Sequence, residues 1–353
     1  MQRYCISATI GRQHTGSIYS LQCKIDKMDS VAFDPHIRPI NVRRDLVEIA
    51  DLIELAFTGQ MDAEGRDYIR HIRQIARSIG GYMLDGNSPE TSQFPFHGYL
   101  WEEDGRIIGN LTLIPVRKRG TRDYFIANVA VEPEFRGRGI ARQLTSRAID
   151  HVKAHKGKRI YLQVRVDNLT AQHIYRTTGF DEFAYRTSWI FGRKPSGNGS
   201  SNSSIRIARR LKSDWAQQVD WLKALYPPEI AWNLPFSLER MKPDFWGGFM
   251  RFLNGLSSRT WAARKDGQLI GLATWESGFT GSDYIWLATS PVWEEAAITS
   301  LLPVISSRVF NPQRLLINYP AGRAIDAFKA SGMKELHTLV WMKKDLPLEF
   351  PPF

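Results

Sequence analysis

The chain carries the same landmarks twice, in the same order. "DGRIIGNLTL", from Asp104, matches "DGQLIGLATW", from Asp266, at an offset of 162 residues. "DYFIANVAVEP", ending at Pro133, matches "DYIWLATSP", ending at Pro291, at an offset of 158. "IYRTTGFDE", from Ile174, matches "AFKASGMKE", from Ala327, at an offset of 153. Chance matches have no reason to stay in order, whereas a duplicated unit with small deletions produces a steadily shrinking offset. Two copies of one α/β unit are therefore expected. The length of 353 residues, 43% of them hydrophobic and 12% aromatic, is enough for two cores.

Within the first copy, "HIRPI" (36–40) reads as a short strand. "RRDLVEIADLIELAF" (43–57) puts Leu46, Ile49, Ala50, Ile53 and Phe57 on one helical face. A second helix is expected over 68–79, with Ile69, Ile72, Ala76 and Ile79 on its apolar side. "YLWEEDGRIIGNLTLIPV" (99–116) is a hairpin turning at Asp104-Gly105. "FIANVAV" and "RIYLQVRV" are strands separated by a helix from about Ile140 to His155. "NLTAQHIYRTTGF" is a short helix between the N-cap Asn168 and the stop at Gly179, and "EFAYRTSWIFGRK" is the last strand of this half. "KPSGNGSSNSS" (194–204) has the composition of a linker.

The net charge of +11 favours an anionic partner but does not choose among nucleic acid, membrane surface and phosphorylated small molecule. No apolar run approaches membrane-spanning length. Cys5 and Cys23 are the only cysteines, so a disulfide framework and a Cys-based metal site are both excluded, and a reducing, cytoplasmic compartment fits. Residues 1–25 hold no Asp or Glu and loosely resemble a transit peptide; a poorly ordered extension over 1–36, or a little-used upstream start, is the preferred reading.

Chemistry concentrates behind the strand ending at Val131. Arg136-Gly137-Arg138-Gly139-Ile140-Ala141 leads from strand to helix, so its backbone N–H groups lack intrahelical acceptors and face any anion placed there. Two glycines let the main chain approach a diphosphate, and the arginines offer charge-assisted hydrogen bonds. A phosphate-binding P-loop would need Gly-Lys-Ser/Thr, and a dinucleotide fingerprint would need Gly or Ala where Arg142 stands. Alone, the turn is equally a solvated basic helix start.

With its surroundings, the sequence resembles the GNAT family of acetyl-CoA-dependent N-acetyltransferases. Arg136-x-x-Gly139-x-Ala141 is similar to the family's Gln/Arg-x-x-Gly-x-Gly/Ala motif, and Asn168-x-x-Ala171-x-x-x-Tyr175 to the segment after its fifth strand. The resemblance covers 37–193 strongly and 205–346 in outline. It implies two tandem acyl-CoA N-acyltransferase domains of the α/β class with a mixed sheet, and acetyl-CoA as co-substrate without a metal. It further implies a pantetheine arm against Val129, Ala130 and Val131, a diphosphate on Arg136, Gly137, Arg138, Gly139, Ile140 and Ala141, and Asn168 and Ala171 beside the cofactor. Tyr175 would then meet the departing sulfur, because a phenol of pKa about 10 can protonate or hydrogen-bond a thiolate whose acid has pKa about 8.5.

A general base is less evident. Family members that carry a carboxylate in these strands have it where this chain has Phe125 or Gln163, neither of which takes a proton. The expected acceptor is therefore a low-pKa amine, an α-amino group being far more often neutral near pH 7.5 than a lysine. Otherwise the proton leaves through water to Glu132, Glu102 or His97.

The second copy supplies a contrast. Trp293-Glu294-Glu295 replaces the basic glycine turn, Phe328 stands opposite Tyr175 and Ala321 opposite Asn168, so this copy is expected neither to seat acetyl-CoA nor to catalyse. It holds nine of the eleven tryptophans, mostly as core, and "YPPEIAWNLPF" (226–236) is a candidate wall of the acceptor cleft. The expected organisation is an extension (1–36), a catalytic domain (37–193), a linker (194–204), a degenerate domain (205–346) and a tail (347–353). The expected activity is transfer of acetyl to a primary amine of a small molecule or peptide by direct attack in a ternary complex. A silent CoA-binding regulatory protein is the alternative. Nucleic-acid and membrane partners are not expected, and the chain is a pseudo-dimeric monomer or a homodimer.

Overall fold

The hairpin turns are where sequence dictates backbone most directly. Asp104 and Gly105 both take positive φ, 51° and 77°, and Asp266 and Gly267 repeat this at 49° and 85°. This is the two-residue turn that matches strand twist. The computed structural model describes residues 34–59, 61, 63–81, 97–118, 121–192, 204–244, 257–278, 282–309 and 315–347. Most of the expected extension, linker and tail, and Trp246, lie outside these residues.

The first copy runs β1 (Ile37–Pro39), α1 (Val42–Ala56), α2 (Ala63–Gly81), β2 (His97–Glu103), β3 (Arg106–Lys118), β4 (Thr121–Val131), α3 (Ile140–Ala154), β5 (Arg159–Arg165), α4 (Leu169–Thr177) and β6 (Asp181–Phe191). The second runs β7 (Ile205–Arg209), α5 (Trp215–Leu225), α6 (Pro228–Ala231), α7 (Leu238–Met241), β8 (Ser258–Lys265), β9 (Gln268–Glu276), β10 (Asp283–Thr289), α8 (Glu294–Arg308), β11 (Leu315–Pro320), α9 (Ile325–Ala330) and β12 (Met333–Asp345). The architecture is a mixed α/β sheet fold.

Two compact units result. The first takes residues up to Leu162, Thr170–Asp181 and Lys343 onward; the second takes Gln163–Leu169 and Glu182–Met342. The strand read from sequence as the end of the first half, β6, thus belongs to the second unit. It pairs antiparallel with β11 from Arg186↔Pro320 to Ile190↔Leu316. The cause is apolar: Trp189 is buried and stacks on Phe328 at 4.8 Å between ring centroids.

In the first unit the strand order is β1-β2-β3-β4-β5, antiparallel throughout except for the parallel β4–β5 pair. Asn41 caps α1, its side chain accepting from the Arg43 N–H at 3.1 Å. Leu46, Ile49, Ala50 and Ile53 of α1, with Ile69, Ile72 and Ile75 of α2, cover one sheet face over Leu100, Ile107 and Ala130. Successive strand residues face opposite ways, so Trp101, next to Leu100, lies on the other face together with its register partner Gly109. There a Cβ on Gly109 would meet Ile140 of α3 at 2.8 Å.

One difference between the copies matters for function. Asp123 and Asp283 are 160 residues apart (283 − 123), but Pro133 and Pro291 only 158 (291 − 133). One of the two residues that β10 lacks is taken up inside β4. There the β3–β4 register slips between Asn110↔Ala130 and Thr112↔Ala127, and Asn128 takes φ +49°. This is a β-bulge. The β9–β10 ladder runs from Tyr284↔Glu276 to Thr289↔Gly271 without interruption.

Candidate active site

After β4 the chain makes a short 3-10 turn, Pro133–Phe135, and then four residues before α3 begins. Gly137 and Gly139 take φ +80° and +81°, and Gly139 is the N-cap of α3, with no side chain to cap the helix. The main-chain N–H groups of residues 137–142 have no acceptor among the described residues. Nothing lies within 4 Å of a Cβ built on either glycine. Unpaired amides at a helix start, with open space above them, form a seat for an anionic group. These residues therefore fit a diphosphate.

The arginines sit differently from the sequence expectation. Arg136 donates to the carbonyls of Val131 at 3.3 Å and Ala56 at 2.9 Å, tying the loop to the C-terminal end of α1. Arg138 donates to both carboxylate oxygens of Glu103 at 3.0 Å and lies over the Phe135 ring. Both guanidiniums thus brace the loop. Ile140 is buried at the helix start, and Ala141 is half-buried.

Next to this loop the β4–β5 ladder stops. Its registered pairs run from Asp123↔Arg159 to Phe125↔Tyr161, whereas β4 continues to Val131. Glu132 N–H bonds the Ile108 carbonyl on β3 at 2.9 Å, so alternation turns the N–H of Val131 away from β3. Ala130, expected with Val129 and Val131 as one group, packs its methyl into the core under α1 and α2.

Tyr175 lies in the first unit on α4, buried, its ring edge-on to Phe180 at 6.0 Å. Its phenol makes no hydrogen bond among the described residues. Burial pushes its pKa above the usual phenol range, so it stays protonated and is able to donate a hydrogen bond. Ala171 is half-buried in the same unit. Asn168 is exposed, donates its N–H to the Arg165 carbonyl at 3.1 Å, and belongs to the second unit's 163–169 segment.

The candidate bases fare unevenly. Phe125 and Gln163 are buried and cannot ionise. Glu132 pairs with Arg106 at 3.0 Å. Glu102 takes ion pairs from Arg38 and, at 3.1 Å, from Arg44. His97 is exposed at the start of β2. No cluster of three potential metal ligands occurs among the described residues.

Sequence reasoning missed a polar group under the bulge. Asn110 donates to the Asn128 carbonyl at 2.7 Å, and the Asn128 amide donates to the Tyr68 hydroxyl at 2.7 Å. Burial raises the Tyr68 pKa to about 12. The change of offset from 160 to 158 across β4 was the signal in the sequence.

In the second unit the corresponding helix begins with Glu294 and Glu295 in place of the glycine turn. Glu294 accepts from the Tyr319 hydroxyl and from Arg323 at 2.6 Å, so a carboxylate occupies the N-terminal end of α8. Phe328, opposite Tyr175, is fully buried. Tyr226, Ile230 and Leu234 of the expected acceptor wall are core residues of this unit, with Tyr226 edge-on to Trp286 at 5.4 Å. Trp261, Trp286 and Trp341 are buried likewise.

Residues 66–180 match the acetyltransferase (GNAT) family model. A putative [ribosomal protein bS18]-alanine N-acetyltransferase of Bacillus subtilis is 29% identical over 124 residues, 34% of this chain and 80% of that one. Most of the curated relatives are matched over less than two thirds of their own length. Among solved structures, a GCN5-related N-acetyltransferase from Sphaerobacter thermophilus superposes with TM-score 0.56 at 14% identity, covering 89% of this chain and 96% of that one. A tandem GNAT protein from the clavulanic acid biosynthesis pathway gives TM-score 0.50 at 17% identity, covering 88% and 98%. These likenesses extend the fold over both copies. No helix among the described residues is long and apolar enough to cross a membrane.

Proposed function

We propose, for a chain that belongs to the GNAT acetyltransferase family through residues 66–180, that the first copy transfers acetyl from acetyl-CoA to a primary amine and that the second copy does not catalyse. The observation that carries this reading is the run of unpaired amides over 137–142 beside the point where β4 and β5 cease to pair. Acetyl-CoA supplies an activated thioester: the amine nitrogen bonds to the acetyl carbon and gives up one proton, the carbon–sulfur bond breaks, and sulfur keeps the electron pair and gains a proton.

This chain's residues have separable tasks. The amides of Gly137 to Arg142 hold the diphosphate, and the main chain of Val129 and Val131 lies along the pantetheine. The Tyr175 phenol, held protonated by burial, donates to the sulfur. With Phe125 and Gln163 in place of carboxylates, the chain favours an acceptor already neutral near pH 7, which supports an α-amino group over a lysine side chain. The B. subtilis relative's name, an alanine N-acetyltransferase, points the same way.

The test is thiol release from acetyl-CoA with an alanine-terminated peptide, a lysine side-chain amine and a polyamine as separate acceptors. The peptide is expected to react fastest, and Tyr175→Phe to lower kcat by about 100-fold or more at unchanged acetyl-CoA affinity. Preference for the lysine amine at every pH would overturn the acceptor assignment. Binding of acetyl-CoA without turnover on any amine would overturn the activity.

A further inference from the structure

Asn110 is 0% exposed in the middle of β3, where an apolar residue is the ordinary choice. Its amide nitrogen donates to the Asn128 carbonyl, and its Oδ1 is buried with no hydrogen-bond partner. An orphaned buried acceptor destabilises a fold by about 1–3 kcal/mol. The other copy avoids this: the offset of 162 that relates β3 to β9 places Leu272 opposite Asn110, also 0% exposed. The fold does not require a polar group there. The β9–β10 ladder beside Leu272 has no bulge, and the β3–β4 ladder beside Asn110 has one, at the residue whose carbonyl Asn110 holds.

What the clamp fixes follows from peptide geometry. The Asn128–Val129 bond is trans, so carbonyl and N–H lie antiparallel in one plane. With the carbonyl drawn to Asn110 on β3, the Val129 N–H points away from β3, on the edge of β4 that has no β5 partner past Phe125. Asn128 is also held by its side chain, through the bond to Tyr68 on α2, in a positive-φ conformation that only Asn, Asp and Gly adopt readily.

We propose that Asn110 and Tyr68 are positioning residues that lock the bulge so that the Val129 N–H donates to the acetyl oxygen as it takes up negative charge. The inference rests on the acetyltransferase reading. It assigns the buried Asn110 a task that stability does not explain.

The experiment compares the full-length wild type, Asn110→Leu and Tyr68→Phe. The first readout is infrared spectroscopy of acetyl-CoA carrying 13C at the acetyl carbonyl, bound to each protein; the others are calorimetry and steady-state thiol release with the alanine-terminated peptide. Asn110→Leu removes the orphaned oxygen and is expected to keep or raise the melting temperature and to bind acetyl-CoA within about twofold. It is expected to lose the wild-type downshift of the carbonyl stretch and to lower kcat by about 100-fold at unchanged KM for acetyl-CoA. Tyr68→Phe is expected to do the same more weakly. A wild-type stretch and kcat in both variants would overturn the proposal, as would loss of melting temperature and affinity together with activity, which marks a structural role. Failure of the wild type itself to bind acetyl-CoA is a different result: it overturns the functional reading and the positioning role with it.

Discussion

Replacing Gly139 by alanine separates the anion seat from everything else the loop does. At φ +81° and ψ 2° an L-residue is strained, by roughly 1–2 kcal/mol. No steric contribution is added, because nothing lies within 4 Å of the new Cβ. A single event of about 1 kcal/mol in a unit of this size lowers the melting temperature by roughly 2–4 °C. Binding suffers more. The methyl stands on the open side of the loop, where a diphosphate approaches, and displaces it from amides whose bonds to a charged group contribute about 1.5–3 kcal/mol each. Loss of one such bond weakens Kd by about 10- to 100-fold. The loss is expected to be equal for CoA and acetyl-CoA, which share the diphosphate, and absent for S-acetylpantetheine, which lacks it. Calorimetry with all three ligands, beside a melting curve, decides the matter. If Gly139→Ala melts a few degrees lower yet binds CoA within twofold of wild type, the loop is a strained helix start and no diphosphate rests on it.

Two further perturbations address other parts of the molecule. Titration with acetyl-CoA is expected to saturate at one equivalent per chain, because the second helix start carries the carboxylates of Glu294 and Glu295, which repel a diphosphate; a second equivalent lost on Gly139→Ala would place both sites in the first copy, and one that survives it would refute the silence of the second. Burial by itself raises the pKa of Asp45, but the hydrogen bonds from Arg38, Arg44 and the Asn41 N–H outweigh it, leaving the carboxyl below its usual range. A carboxylate depressed in the folded state contributes stability at pH above its unfolded pKa and loses it as pH falls through the folded value. Melting temperature is therefore expected to drop more steeply below about pH 4 in wild type than in Asp45→Asn, and parallel acid limbs would refute the coupling.

The repeat, the strand–helix order and the glycine turn were legible because each rests on local chemistry: Asp-Gly turns, apolar spacing, glycine at positive φ. What escaped reading was set by distance. Arg136 and Arg138 look like phosphate ligands in sequence, but Ala56 and Glu103, 80 and 35 positions away, claim them. Likewise β6 reads as the end of its own half, while the apolar surface that takes Trp189 is formed around Phe328. Asn110 reads as an ordinary polar residue in a hairpin until Asn128 is placed opposite it. Three features distinguish the first copy from the second: the clamped bulge, the glycine turn of 137–139 where the second has Trp293, Glu294 and Glu295, and the phenol of Tyr175 where the second has Phe328. They lie on separate elements, and the second copy folds without any of them, so folding does not tie them together. A single ligand spanning strand, loop and helix is the economical reason for all three to occur in one copy and none in the other.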